Sequence, residues 1–176
     1  MSFASLDLGC RLALAVVLGT AFAGKLRGPR PFHALVSTMT ELGMPAMFAI
    51  RPVAALVLAL ELAATVLVIT VPLVGYPIAA ALLLAFTAVV INALRRDEPV
   101  ACRCFGASTA PIGPAHVVRN LLLLAVAGSG AALYASGSTG ELGLVLVLGV
   151  TGVLVGSLVT RWDDLIFLLG SRPRTP

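Results

Sequence analysis

The sequence predicts an all-α protein, a polytopic bundle of transmembrane helices. Hydrophobic residues make up 59% of its 176 residues and charged residues only 11%, and the mean hydropathy is +1.05. A soluble domain carries about 25% charged residues, so a soluble fold of this length would leave too much apolar area uncovered. The apolar residues also gather in runs close to the roughly 20 residues that cross about 30 Å of hydrocarbon. We therefore predict a single integral membrane domain over residues 1–176.

Five apolar runs predict about five spans. We place them at residues 6–24, 52–71, 77–94, 117–134 and 142–159. Proline and glycine break helical order, so the second and third spans are expected to meet in a turn at 72–77, and a Ser- and Gly-rich turn at 136–140 precedes the fifth. Gly152 and Gly156 give the fifth span a smooth face, which suits packing within the chain or, alternatively, dimerisation.

The segment 25–51 is predicted to be an interfacial loop. It is rich in Gly, Pro and basic residues near its ends. Between them, apolar residues recur at spacings of three and four, as in a short amphipathic helix lying on the membrane surface; they are Phe32, Leu35, Val36 and Met39. His33 falls on or near the polar side of that helix.

Charge is distributed unequally between the two membrane faces. With five spans, the 25–51 loop, the 95–116 loop and the C-terminal tail share one face. Its basic residues are Lys25, Arg27, Arg30, Arg51, Arg95, Arg96, Arg103, Arg161, Arg172 and Arg174. The opposite face has Arg11 alone. The positive-inside rule then predicts an external N-terminus and a cytoplasmic C-terminus. Without aromatic residues between the basic ones, no nucleic-acid partner is indicated.

Glu61 lies in the middle of the second span. An ionised carboxylate at the bilayer centre costs about 2.5–3.5 kcal/mol on insertion scales, so we expect Glu61 to face the bundle interior, protonated or paired. It is either a proton-carrying or substrate-contacting acid, or a carboxyl that joins two helices. Candidate partners are Asn92, Arg119 and Asn120. Lys25, at the end of the first span, is expected to extend to the interface as an ordinary positive-inside anchor, or else to support the site.

Two cysteines, Cys102 and Cys104, lie one residue apart in the 95–116 loop. This pattern favours thiol–disulfide exchange, in which a thiolate attacks a disulfide sulfur. Arg103 between the cysteines favours the thiolate electrostatically. The pair is therefore the main candidate for catalysis, with Glu61 as a proton donor or acceptor.

Two other interpretations of the cysteines stay open. With His33 and His116 they would form a Cys₂His₂ metal set, although zinc pairs usually have the wider spacing Cys-x₂₋₄-Cys. They are otherwise inert residues of a structural loop. We predict no metal and no resident cofactor. A relay to the opposite face would need a mobile carrier such as a quinone, for which the sequence shows no motif.

Taken in order, these features resemble the MauE branch of the DoxX-like membrane proteins, from the first span through the fourth. The matching positions are Lys25, Pro31-Phe32, Glu61, Arg95-Arg96 and Cys102-Arg103-Cys104-Phe105-Gly106. Family members commonly have Cys-Gly-Cys-Phe-Gly in the loop. Here Arg103 replaces the central glycine, which changes the conformations open to the loop and its redox poise.

The resemblance implies a four-helix DoxX-like core in a prokaryotic cell membrane. It also implies a role in disulfide formation or electron transfer beside a thioredoxin-like or other membrane or periplasmic protein. Periplasmic chemistry would place the cysteines outside, whereas the charge distribution places them in the cytoplasm, and we retain the cytoplasmic prediction. The alternative is a non-catalytic accessory or assembly subunit of a larger membrane complex.

Overall fold

The computed structural model describes residues 3–26, 36, 50–95, 113–136 and 142–161. Within these residues the regular secondary structure is entirely α-helical. The helices are α1 (Phe3–Leu26), α2 (Ile50–Thr70), α3 (Pro72–Arg95), α4 (Pro114–Ala135) and α5 (Leu142–Thr160). The predicted all-α bundle is confirmed. Most of the predicted interfacial helix and of the cysteine loop lies outside the described residues.

In the part of the chain that the structure describes, four helices are long and apolar enough to cross a membrane. The spans are Leu6–Leu26, Pro52–Thr70, Pro72–Arg95 and Pro114–Ala135. The fifth helix, α5, has 19 residues, which corresponds to about 28 Å at 1.5 Å per residue and is close to the hydrocarbon thickness of about 30 Å. It carries no charged residue, and a fifth crossing stays a prediction.

The first four helices pack in a ring, with α5 outside it. Helix α1 packs against α2 and α4, and α3 packs against the same two helices. Tyr76 near the start of α3 bonds to Asp7 near the start of α1, so α1 and α3 run in the same direction. The C-termini of α1 and α3 therefore lie at one end of the bundle, called here the loop end. The α2–α3 connection at Val71 lies at the other, the turn end.

The structure corrects the predicted turn at 72–77, because only Val71 interrupts the helices there. The Val71 carbonyl accepts hydrogen bonds from the amides of Val74 and Gly75, at 3.0 and 2.9 Å, and so begins α3. Proline is well tolerated at the first helical position because it has no amide hydrogen to leave unpaired. A Cβ on Gly75 would overlap the backbone of Val68. Glycine therefore serves here for close packing of α2 on α3 and does not form a turn.

Helix α5 packs against α1 through glycine, as one of the two sequence interpretations predicted. A Cβ at Gly152 would overlap the backbone of Gly9, and a Cβ at Gly156 would lie 2.8 Å from the Ala13 carbonyl oxygen. Because Gly9 and Ala13 meet Gly152 and Gly156 in the same order, α1 and α5 are parallel. Contact this close between helix backbones requires small residues.

Small residues also fill the interfaces within the four-helix ring. The buried alanines are Ala13, Ala15, Ala21, Ala54, Ala64, Ala79, Ala93 and Ala127. Lipid chains are as apolar as leucine, so close packing rather than removal of apolar surface from water holds such helices together. Around these alanines, larger side chains such as Leu14, Leu83 and Leu123 form a continuous core.

Candidate functional site

Polar side chains of the described residues form two clusters, one toward each end of the bundle, and all of them are buried except Arg11, which is half-buried, and Tyr134, which is exposed. Six make up the loop-end cluster: Lys25, Glu61, Thr87, His116, Arg119 and Asn120. Asp7, Arg11, Tyr76 and Tyr134 make up the turn-end cluster. Intramembrane ionisable groups are costly and are usually paired or functional, so both clusters are candidate sites.

An ion pair between Lys25 and Glu61 is the centre of the loop-end cluster. The Nζ of Lys25 donates a hydrogen bond to Oε1 of Glu61, and the two residues are 1% and 0% exposed. The ammonium also lies 5.4 Å from the centroid of the Phe86 ring, where a cation is attracted by the aromatic face. The pair joins α1 to α2, and Phe86 adds α3.

The expectation that Lys25 reaches the membrane interface is wrong. Helix α1 continues to Leu26, which places Lys25 within its last turn, and Glu61 on the neighbouring helix offers an opposite charge. A lysine extends to the interface when that is the way to keep its ammonium solvated. Here the carboxylate compensates the charge inside the bundle instead.

Asn120 lies at the same depth as this ion pair. Helices α3 and α4 are antiparallel, so the residues that face each other can be counted from their contacts. Tyr76 of α3 lies against Gly130 of α4, and seven residues from each of these, Leu83 and Leu123 belong to one core cluster. Counting three more residues toward the loop end places Phe86 of α3 opposite Asn120 of α4. Asn120 is thus level with the ring that Lys25 faces, and it is 2% exposed.

Arg119 and His116 continue the cluster along α4 toward the loop end. They are 2% and 4% exposed. Helix α4 begins after Gly113, whose carbonyl accepts a hydrogen bond from the His116 amide at 3.1 Å. The Nδ1 of His116 lies 3.3 Å from the amide nitrogen of Gly113. His116 therefore fixes the point at which the cysteine loop enters the bundle.

The predicted site residues separate into three groups. Lys25, Glu61, Arg119 and Asn120 are brought into the loop-end cluster. Asn92, a candidate partner of Glu61, is exposed on α3, whereas Glu61 is buried among the helices. Four predicted residues lie outside the described part of the chain: His33, Cys102, Arg103 and Cys104.

The metal interpretation depends on residues of that last group. Three of its four ligands, His33, Cys102 and Cys104, are outside the described residues. Among the residues that are described, no group of three or more His, Cys, Asp or Glu side chains could hold a metal ion. The Cys₂His₂ alternative therefore stays a prediction.

The turn-end cluster was not predicted. Asp7 and Arg11 form an ion pair within α1, and the Tyr76 hydroxyl donates to Oδ1 of Asp7 at 2.6 Å. The Arg11 guanidinium lies 5.0 Å from the centroid of the Tyr134 ring. The available signal was the four-residue spacing of Asp7 and Arg11, which places opposite charges on one helix face. Cys10, beside them, is only partly buried.

Together these features define a helical membrane protein with a buried lysine–glutamate pair inside its bundle. The family model described as methylamine utilisation protein MauE matches residues 3–135, and the chain belongs to that family. The resemblance seen in the sequence is thereby confirmed over α1 to α4, and α5 lies outside the matched range. No curated protein and no solved structure matches the chain.

Proposed function

We propose that this MauE-family membrane protein takes part in thiol–disulfide exchange through Cys102 and Cys104. The observation that carries the proposal is the position of the two helix ends that the cysteine loop joins. These ends, Arg95 of α3 and Pro114 of α4, lie at the loop end of the bundle, the end toward which the paired Lys25 and Glu61 lie in its interior. A reactive dithiol and a buried proton-exchanging group would then share one end of the molecule.

The proposed reaction conserves atoms and electrons. The thiolate of one loop cysteine attacks a disulfide of a partner protein, forming a mixed disulfide and releasing a partner thiolate, which takes up a proton. The second cysteine, as a thiolate, attacks the mixed disulfide and releases the second partner thiolate. The loop pair ends as a disulfide and the partner as a dithiol, and the reverse sequence oxidises the partner. Glu61 is proposed to supply or accept a proton during these steps.

The partner is proposed to be a thioredoxin-like or another membrane protein in a prokaryotic cell membrane, since a periplasmic partner would require the opposite orientation of the cysteine loop. Basic residues lie at the start of the loop and within it, at Arg95, Arg96 and Arg103, which supports a cytoplasmic loop under the positive-inside rule. A membrane-impermeant maleimide should then spare Cys102 and Cys104 in intact cells and label them after lysis. Prompt labelling in intact cells would reverse the proposed orientation.

Trapping of the partner is the direct test of exchange. In Cys102→Ser and Cys104→Ser single variants, one of the two should accumulate a mixed disulfide that a reductant dissolves, because the resolving thiol is missing. A Cys10→Ser variant, which retains both loop cysteines, is the matched control and should trap nothing. Differential alkylation at defined redox potentials should also detect a Cys102–Cys104 disulfide. Its absence at every physiological potential would refute the proposal.

A second function, a non-catalytic accessory subunit, is favoured by one observation. The outer surface of α5 carries a row of exposed apolar side chains outside the family match, and they are Val147, Val150, Leu154 and Leu158. In a membrane such a surface suits lipid or another helix. A Cys102→Ser/Cys104→Ser double variant with full cellular function would favour this role over exchange.

A further inference from the structure

Two buried oxygen atoms of the loop-end cluster have no hydrogen-bond partner among the described residues. They are Oε2 of Glu61 and Oδ1 of Asn120, on residues that are 0% and 2% exposed. Leaving a buried acceptor unsatisfied costs about 1–3 kcal/mol, and the large majority of buried polar side-chain atoms do have a partner. Two such oxygens at one depth of one bundle therefore indicate a bound hydrogen-bond donor.

The surroundings limit what that donor is. Glu61 and Asn120 lie on α2 and α4, which occupy opposite positions in the four-helix ring. The Lys25 ammonium is at the same depth, and it has three hydrogens, one of which is donated to Oε1 of Glu61. A ligand here would meet two acceptors and one donor. The cluster already holds two cations, Lys25 and Arg119, and one carboxylate, so a metal or ammonium cation would add a third positive charge, whereas a neutral molecule adds none.

We propose that the interior between α2 and α4 binds a water molecule. The water donates its two hydrogens to Oε2 of Glu61 and Oδ1 of Asn120 and accepts one from Lys25. Buried waters typically make about three hydrogen bonds to otherwise unsatisfied groups, which is the number offered here. The water links Glu61 to α4 and is itself a group with which the Glu61 carboxyl can exchange a proton.

Water contact can be measured by water-edited solid-state NMR of the full-length protein in lipid bilayers. Magnetisation that starts on water protons is detected on the side-chain carboxyl carbon of ¹³C-labelled glutamate, and a Glu61→Gln variant assigns the Glu61 signal. We expect the Glu61 carboxyl to receive magnetisation at short transfer times. An Asn120→Leu variant, which has similar volume but no acceptor, should lose that early signal. Asn120→Asp, which retains the oxygen, should keep it.

Leucine methyl carbons, which face the core or lipid, provide the dry reference in the same samples. Build-up at Glu61 as slow as at these methyl groups in the wild-type protein would overturn the proposal, and so would an unchanged early signal in Asn120→Leu. If Asn120→Leu does not fold, the proposal is tested by the wild-type protein alone, in which magnetisation should build up faster at the Glu61 carboxyl carbon than at the leucine methyl carbons. The measurement involves no cysteine chemistry. Its failure is therefore distinguishable from failure to trap a partner.

Discussion

At the turn end, Asp7 and Arg11 are four residues apart on one helix, whereas at the loop end Lys25 and Glu61 are 36 residues apart on two helices. The first pair can form as soon as α1 is helical. The second exists only when α1 and α2 have packed in register. The turn-end pair therefore stabilises a helix that is already formed, while the loop-end pair forms only in the assembled bundle.

Removing one member of the loop-end pair should have the largest effect. Lys25→Met leaves the Glu61 carboxylate buried without its partner, and loss of one partner from a buried pair costs about 3–5 kcal/mol. The free energy of unfolding in lipid or detergent should fall by an amount of this order. The Lys25→Met/Glu61→Leu double variant should recover most of the loss, because no unpaired charge remains. The Glu61→Leu single variant completes the comparison. If the stability loss of the double variant equalled the sum of the losses in the two single variants, Lys25 and Glu61 would not interact.

Close packing at the turn end gives the next largest effect. Gly130→Ala would place a Cβ 2.8 Å from Cε1 of Tyr76 and closer still to its hydroxyl. Such overpacking costs about 1–3 kcal/mol. Gly128→Ala on the same helix is the matched control, since a Cβ there meets nothing within 4 Å. It should be neutral or stabilising, because alanine is favoured over glycine in a helix by up to about 1 kcal/mol. Equal thermal stabilities for the two variants would contradict the packing described here.

The hydrogen bond from Tyr76 to Asp7 should contribute less. Tyr76→Phe keeps the ring and removes the donor, and hydrogen bonds between membrane helices average about 0.6 kcal/mol with a maximum near 1.7 kcal/mol. The unfolding free energy should decrease within that range. Tyr134→Phe is the control, because it retains the ring that Arg11 faces. A loss of several kcal/mol in Tyr76→Phe would mean that this bond, like the loop-end pair, holds the bundle together.

The smallest effect is expected at Thr87, although it is buried with the loop-end cluster. Its hydroxyl donates to the Leu83 carbonyl of its own helix at 2.6 Å, and such bonds to the preceding turn add little stability to a helix. Thr87→Val should therefore change the unfolding free energy less than any of the variants above. A larger loss in a chemical unfolding series would show that the hydroxyl has a second role in the cluster.

Sequence patterns identified the membrane class and the buried acid because each depends on one local property. Long apolar runs predict spans, and a carboxylate within such a run must turn inward. The turn at 72–77 was predicted wrongly for a related reason. Glycine and proline break soluble helices, but in this bundle Pro72 begins a helix and Gly75 permits contact with α2. Which of the two uses applies depends on the neighbouring helix.

Hydropathy and the order of the motifs are thus enough to predict an all-α membrane bundle of the MauE family, with a cysteine pair in one loop and Glu61 turned inward. They do not predict that Lys25, rather than Asn92, lies beside Glu61, or that Asn120 is buried at a similar depth; both follow from how the helices pack. The reason is physical. Hydropathy is the sum of independent residue contributions, whereas pairing between helices depends on where each helix begins, how it is rotated and which residues are small enough to let it approach.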